Sequence, residues 1–198
     1  MVEVGIDEAG RGSLIGNVYA GAVIMDPALE HELLYEIKDS KKISRKKRQM
    51  LRGFIEEHAV ACAVGWATPE EIDEINILQA TYLAMHRALD KIQVGFDSVL
   101  VDGNGFKPYI SKDGQFINHE CVVDGDNSYM SIACASILAK VYHDEHITEI
   151  LGNNHEKLQF YNLENNMGYG TKAHIEALKK HGATEFHRKS FGIVKEYA

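Results

Sequence analysis

The sequence predicts an α/β fold, a mixed β-sheet flanked by helices, and two features of its 198 residues predict it. Short apolar runs bounded by glycine-containing breaks stand next to one another in the first 25 residues, which is the pattern of adjacent strands. Further along, strand-like runs alternate with amphipathic segments of helical length, which places helices against the sheet. The length suits one substantial core, so a single domain over residues 1–198 is expected.

The elements follow in order. Val2 to Ile6 reads as a strand that stops at Asp7-Glu8-Ala9-Gly10-Arg11-Gly12, where glycines permit a tight path, and Asn17 to Met25 is a second strand. Ser44 is a plausible N-cap for an amphipathic helix to about His58, and Ala59 to Ala67 alternates large and small residues as a strand does. Thr68-Pro69-Glu70-Glu71 combines a cap residue, a first-turn proline and acids, so a helix starts there, and a longer helix is expected over Ile77 to Ile92. Ser98 to Val101 is a strand cut off by Asp102-Gly103-Asn104-Gly105, and Phe116 to Val123 is a further short one. Tyr129 to Ile150 is a long helix whose Ala133, Ala135, Ser136 and Ala139 allow close packing. The polar stretch from Leu151 to Phe160 and the loop Asn162 to Gly170 lead to a helix at about Thr171 to Lys180. The stretch is either an irregular surface connection or a small mobile appendage.

Hydrophobic residues at 45% with charged residues at 25% exclude a disordered chain. No apolar run approaches the roughly 18 residues that span a bilayer. With Met1-Val2-Glu3-Val4 lacking a signal-like pattern, a cytoplasmic location with no membrane partner is expected. Cys62, Cys121 and Cys134 are odd in number and widely spaced, which excludes a disulfide framework and reads as core thiols. The net charge of −8 opposes nucleic-acid binding, but between Lys38 and Arg52 eight Lys and Arg residues face a single acid, Asp39. That cluster suits a phosphate contact or a solvated helix face equally.

Asp7 and Asp102 each end an apolar strand before a glycine-containing break, and Asp126 lies in Asp124-Gly125-Asp126-Asn127-Ser128 just ahead of the long helix. Strand ends in α/β sheets form the functional crevice, so these acids can converge, with Glu8 joining Asp7 only where the strand has broken. Gathered carboxylates repel one another unless cations neutralise them, and oxygen-only ligands suit Mg²⁺ or Mn²⁺. Capping or facing solvent is the competing reading of each acid. His143 and His146 with Asp144 and Glu145 share a helix and read as a solvated face rather than a second metal site.

Gly5-Ile6-Asp7-Glu8-Ala9-Gly10-Arg11-Gly12 closely resembles the opening signature of the ribonuclease HII family, the type 2 ribonucleases H. The resemblance continues in order through Asp39-Ser40-Lys41-Lys42, Glu71-Ile72-Asp73, Asn76-Ile77-Leu78, Val101-Asp102-Gly103-Asn104 and Ala135-Ser136-Ile137-Leu138-Ala139-Lys140-Val141. It ends with Gly168-Tyr169-Gly170-Thr171 and His187-Arg188-Lys189-Ser190-Phe191, so it covers nearly the whole chain. It implies a ribonuclease H-like sheet with a small helical C-terminal part, about residues 151–198, that contacts substrate. It implies metal-binding catalytic acids Asp7, Glu8, Asp102 and Asp126 holding two Mg²⁺ or Mn²⁺ ions. It also implies a Gly10-Arg11-Gly12 turn whose backbone senses a ribose 2′-hydroxyl, phosphate contacts from Lys41 and Lys42, and Tyr169 at the RNA–DNA junction. The implied substrates are RNA/DNA hybrids and duplex DNA carrying single ribonucleotides, cut by a monomer without an obligatory protein partner. The sister ribonuclease HIII family has an additional N-terminal domain, for which the first motif at Gly5 leaves no room. A hybrid-binding module without catalysis is the rival class, and the four acids argue against it. The chain departs from the family pattern at Ser13, Asp124, Tyr142-His143 and Asn166-Met167, where proline, lysine, Thr-Arg and His-Lys are usual, so phosphate contacts are lost.

Overall fold

The computed structural model describes residues 1–37 and 43–198; the expectations for Lys41 and Lys42 lie outside the described residues. The strands are β1 (Glu3–Ala9), β2 (Val18–Ile24), β3 (Ala61–Ala67), β4 (Ser98–Asp102), β5 (Tyr109–Ile110) and β6 (Phe116–Val122), in the sheet order β3-β2-β1-β4-β6-β5. β1, β2 and β3 pair antiparallel, β4 joins β1 and β6 in parallel, and β5 closes on β6 antiparallel, so the sheet is mixed as expected. The two-residue β5 is too short to leave a periodicity in the sequence.

The helices are α1 (Arg45–His58), α2 (Pro69–Leu89), α3 (Met130–Asn153), α4 (His155–Leu158), α5 (Leu163–Asn166), α6 (Lys172–His181) and α7 (Gly192–Lys195). Ser44 caps α1 as expected, its hydroxyl accepting from the Lys47 amide. Thr68 and Glu71 form a reciprocal capping box at the start of α2. The two helices expected over 68–92 are both present within α2, one on each side of Asn76, whose backbone is non-helical with a φ of 67°. Its side-chain oxygen accepts from the amides of Leu78 and Gln79 at 3.0 and 3.1 Å, so it is an internal N-cap for the second part.

α2 covers one face of the sheet, burying Ala80, Ala84, Met85 and Ala88 against Val4, Ile6, Ala20, Ala22, Val99 and Val101. On the opposite face α3 and α1 pack together, with Ala133, Ala135, Ile137 and Leu138 meeting Val23, Leu51, Phe54 and Ile55. The small residues of α3 do permit close packing: a Cβ on Gly21 of β2 would stand 2.3 Å from the Ala135 carbonyl oxygen. No other residue lets helix and strand approach this far. A third cluster joins Leu158, Tyr161, Leu163, Leu178 and Val194 to Ile147 of α3 and to Leu14 and Ile15, so residues after 151 are built onto the chain that follows β1.

Two expectations are corrected here. β1 does not break at Asp7, since Asp7, Glu8 and Ala9 continue the ladder opposite Gly21, Ala20 and Tyr19 of β2. Strand pairing is made by backbone groups, and polar side chains do not interrupt it. Of the three cysteines only Cys134 is fully buried, with its thiol pushed up to about 12 by burial; Cys62 and Cys121 are half-buried, and all three are free. Among the described residues no helix is long and apolar enough to cross a membrane.

Candidate active site

Pairing of β1 with β4 stops at Ile6 opposite Val101, so the last three residues of β1 have no β4 partner. Beside them opens a cleft of about 540 Å³ lined by Asp7, Glu8, the Gly10-Arg11-Gly12 turn, Asp102 at the end of β4, Tyr169, and Arg48, Ser136 and Lys140 from α1 and α3. Successive strand residues point to opposite faces, but past Ile6 the β4 side of β1 is open. This is how Asp7 and Glu8 both reach one cleft without a break in the strand. A larger hollow of about 700 Å³ between residues 89–96 and 109–117 is lined by none of the predicted acids.

Asp7 is 6% exposed and accepts from the Glu8 amide at 2.7 Å. Burial raises its carboxyl well above the ordinary range, the charges of Glu8 and Asp102 raise it further, and a hydrogen bond with Ser136 opposes them. Burial also raises Glu8, which the Arg11 guanidinium at 3.2 Å counters. Asp102 accepts from the Gly125 amide at 2.8 Å, which ties the end of β4 to the short turn Gly125–Asn127.

Asp126 sits in that turn, buried, with Asn127 donating to its carboxylate at 3.2 Å; it does not line the cleft. Among the described residues no three or more acids, histidines or cysteines stand in a metal-holding group; Glu8 is engaged by Arg11 and Asp102 by the Gly125 amide. The donor set still fits a hard divalent cation. It is oxygen-only, it is partly desolvated, and the like-charge repulsion that raises Asp7 is what a cation removes.

The turn and the tyrosine are joined. The Gly10 amide donates to the Tyr169 hydroxyl at 3.2 Å, and Ser13 and Tyr169 form an isolated antiparallel bridge. Gly10 has φ +86°, and a Cβ there would stand 2.3 Å from the buried His143 ring. Gly12 carries no such constraint: a Cβ would meet only the Tyr169 ring at 3.7 Å.

Other readings change in three dimensions. The basic cluster on α1 is divided: Arg48 and Arg52 turn to acids of α3, while Arg45 and Lys46 are exposed. Arg52 bonds Glu145 at 2.7 Å and lies over the Tyr142 ring, Arg48 reaches Asp144 at 3.5 Å, and Lys47 pairs with Glu36. The proposed solvated face at 143–146 is wrong for His143 and Asp144, which are buried. Asn166, one of the departures, is a buried structural residue that donates to the Tyr161 carbonyl and accepts from the Gly168 amide. Asp124 is exposed at the left-handed residue before the turn. Sequence reasoning assigned no role to Lys140, His187 or Arg188 and gave Ser136 only a packing role, although each fell in a quoted block. Lys140 stands over Tyr169, 5.0 Å from its ring centre.

Comparison with known proteins decides the family. The family model for ribonuclease HII matches residues 4–194. The chain belongs to the ribonuclease HII family. The ribonuclease HII of Phocaeicola vulgatus is 47% identical over 194 residues, covering 98% of this chain and 90% of its own. A family member at this identity is an endoribonuclease, a hydrolase of RNA phosphodiesters. The crystal structure of ribonuclease H2 from Pyrococcus horikoshii OT3 superposes with a TM-score of 0.76 at 24% identity, covering all of this chain and 97% of the other. That of Bst-RNase HIII in complex with Mn²⁺ gives 0.72 at 15% identity, covering all of this chain and 69% of the other. These likenesses show the ribonuclease H-like fold, the mixed sheet with helices on both faces.

Proposed function

We propose that this member of the ribonuclease HII family hydrolyses the RNA strand of RNA/DNA hybrids and cuts duplex DNA on the 5′ side of single ribonucleotides, leaving 3′-hydroxyl and 5′-phosphate ends. The observation that carries this reading is the convergence of Asp7, Glu8 and Asp102 with the Gly10-Arg11-Gly12 turn and Tyr169 in one cleft. In this reading Asp7, Glu8 and Asp102 hold two Mg²⁺ or Mn²⁺ ions, and Asp126 joins them from the turn beside Asp102. Bound divalent ions would supply a water of lowered pKa and charge stabilisation for the leaving 3′-oxygen. The solved Mn²⁺ complex of a protein with the same fold supports the class of ion.

The residues of the chain do the rest. The backbone of Gly10, Arg11 and Gly12 reads the 2′-hydroxyl, the group that distinguishes RNA from DNA. Tyr169, held against the turn by the Gly10 amide, packs at the RNA–DNA junction. Lys140, and Lys41 and Lys42 of the basic cluster, contact phosphates and position the strand without reading sequence. Residues 151–198 are the substrate-contacting part of a single domain that acts in the cytoplasm as a monomer, with no obligatory protein partner.

The test is cleavage of a DNA duplex carrying one ribonucleotide, with Mg²⁺ and Mn²⁺ compared and product ends mapped. A single metal-dependent cut 5′ to the ribonucleotide is expected. Binding that shifts the duplex in a gel without cutting it would leave a hybrid-binding module instead.

A further inference from the structure

Two histidines outside the cleft, His174 on α6 and His187 in the turn before α7, are fully buried side by side under Tyr169. Their Nε2 atoms are 3.1 Å apart. His174 Nδ1 lies 3.1 Å from the Tyr169 carbonyl oxygen, and His187 Nδ1 lies 3.0 Å from the Thr184 amide nitrogen.

The two ends of this chain determine every proton in it. A backbone amide can only donate, so His187 Nδ1 is an acceptor; the Thr184 hydroxyl, 2.9 Å from the same nitrogen, then also donates to it, and the proton of the neutral ring is on Nε2. His187 Nε2–H therefore donates to His174 Nε2, which must accept. The proton of His174 is then on Nδ1, donated to the Tyr169 carbonyl, which can only accept. A proton added to either ring would set two N–H groups against each other. The depressed values of both rings, His187 down to about 3, agree with this geometry.

We infer that His174 and His187 are positioning residues for Tyr169, acting as one relay of neutral imidazoles that runs from the Thr184 amide to the Tyr169 carbonyl. Tyr169 is held at two points, by the relay at its backbone and by the Gly10 amide at its hydroxyl, so its ring faces the cleft in one orientation. The Thr171 amide also donates to this carbonyl, at 2.8 Å, which closes the turn around it. The consequence for function rests on the reading of Tyr169 as the junction contact: a loosened relay weakens cutting at a single ribonucleotide more than within a long hybrid, where other registers are available.

Imidazole ¹⁵N spectroscopy of the full chain tests the relay directly. The expected result is His174 protonated on Nδ1, the tautomer that free neutral histidine disfavours, and His187 on Nε2, with neither ring titrating between pH 7.5 and 5.5. The opposite tautomer in either ring, or ordinary titration of either, overturns the inference.

Paired variants test its consequence. The amide of His174→Asn reaches the Nδ1 position and can donate to Tyr169, whereas that of His174→Gln reaches only the Nε2 position. With thermal stabilities matched, His174→Asn should cut a single ribonucleotide within about threefold of wild type and His174→Gln should lose about tenfold, the scale of one lost buried hydrogen bond. Equal losses in the two variants overturn the positioning role. Normal cutting of both substrates by Tyr169→Ala would instead overturn the proposed role of Tyr169, leaving the relay to be decided by the tautomers.

Discussion

Arg188 Nη1 donates to the Gly10 carbonyl oxygen at 2.7 Å, joining residues 178 positions apart in sequence. The same guanidinium donates to the carbonyls of Arg11 and Gly16 at 3.1 and 2.9 Å and is fully buried. Burial lowers it to about 9, so it remains a cation at neutral pH. With its carbonyls drawn toward Arg188, the Gly10-Arg11-Gly12 turn is held from beneath. Arg188→Met should lower stability by about 3 kcal/mol, since three buried acceptors lose a charged donor while the cation's desolvation cost is relieved. Urea unfolding measures this, and a change under about 0.5 kcal/mol, the range of ordinary surface substitutions, would show that the turn does not depend on the clamp.

Gly10 and Gly12 should separate folding from recognition. Gly10→Ala places a methyl against His143 at a left-handed φ and should cost about 2 kcal/mol or more. Gly12→Ala meets only ordinary contact with Tyr169, so its melting temperature should match wild type. Its cleavage should fall at least tenfold if substrate approaches that backbone. Wild-type turnover by Gly12→Ala would remove the close approach from the proposed site.

Asp7→Asn should abolish cleavage, by about a thousandfold, because several kcal/mol of metal-borne charge stabilisation are lost at 1.36 kcal/mol per tenfold. It should also make the metal-free protein more stable at neutral pH. A carboxyl whose folded value is raised favours folding at pH below its unfolded value and loses that contribution as pH rises through the folded value, so ionised Asp7 is a burden near pH 7. Mg²⁺ should raise the melting temperature of wild type and not of Asp7→Asn. Equal shifts in both would place the ion elsewhere.

Buried His187 and half-buried His146 should make the fold acid-sensitive. His187 and His146 are lowered to about 3 and about 4 by burial, from an ordinary 6.5. Below pH 6.5 the unfolded chain binds protons that the folded chain refuses, so their contribution to stability is complete above that pH and declines down to about pH 4 for His146 and about pH 3 for His187. The raised Asp7 and Glu8 act in the opposite sense. The comparison is therefore between wild type and His146→Gln: the urea midpoint of the variant should fall less from pH 7 to pH 5. Parallel slopes would show that His146 titrates normally in the folded state.

The basic cluster should divide by position. Arg52→Ala removes ion pairs with Glu145 and Glu56 and should cost about 1 kcal/mol of stability while leaving duplex binding unchanged. Lys41→Ala with Lys42→Ala should weaken binding to all duplexes alike and flatten its salt dependence, each lost phosphate contact removing about one unit of slope. An unchanged salt slope would assign those lysines to solvent.

The local elements were legible because their signals are local. Ser44, the Thr68–Glu71 capping box and the small residues of α3 act on neighbours a few positions away or through a helix period, and a sequence displays such spacings directly. The acids Asp7, Glu8 and Asp102 were legible as candidates for the same reason, each lying beside a turn, and the ordered resemblance added the roles. Tertiary structure alone decided what depends on a strand's neighbour. Asp7 and Glu8 share a cleft because pairing with β4, about a hundred residues away in sequence, ends before them, and not because β1 breaks. Arg48 and Arg52 of α1 pair with Asp144 and Glu145 of α3, a pairing that charge counting cannot foresee, since it depends on which helix packs alongside. His174, His187 and Arg188 carried no periodicity and no charge partner in sequence. Their roles arise because buried carbonyls and amides must find partners: Arg188 finds them at the other end of the chain, at Gly10, while His174 and His187 find them in each other, in Tyr169 and in Thr184.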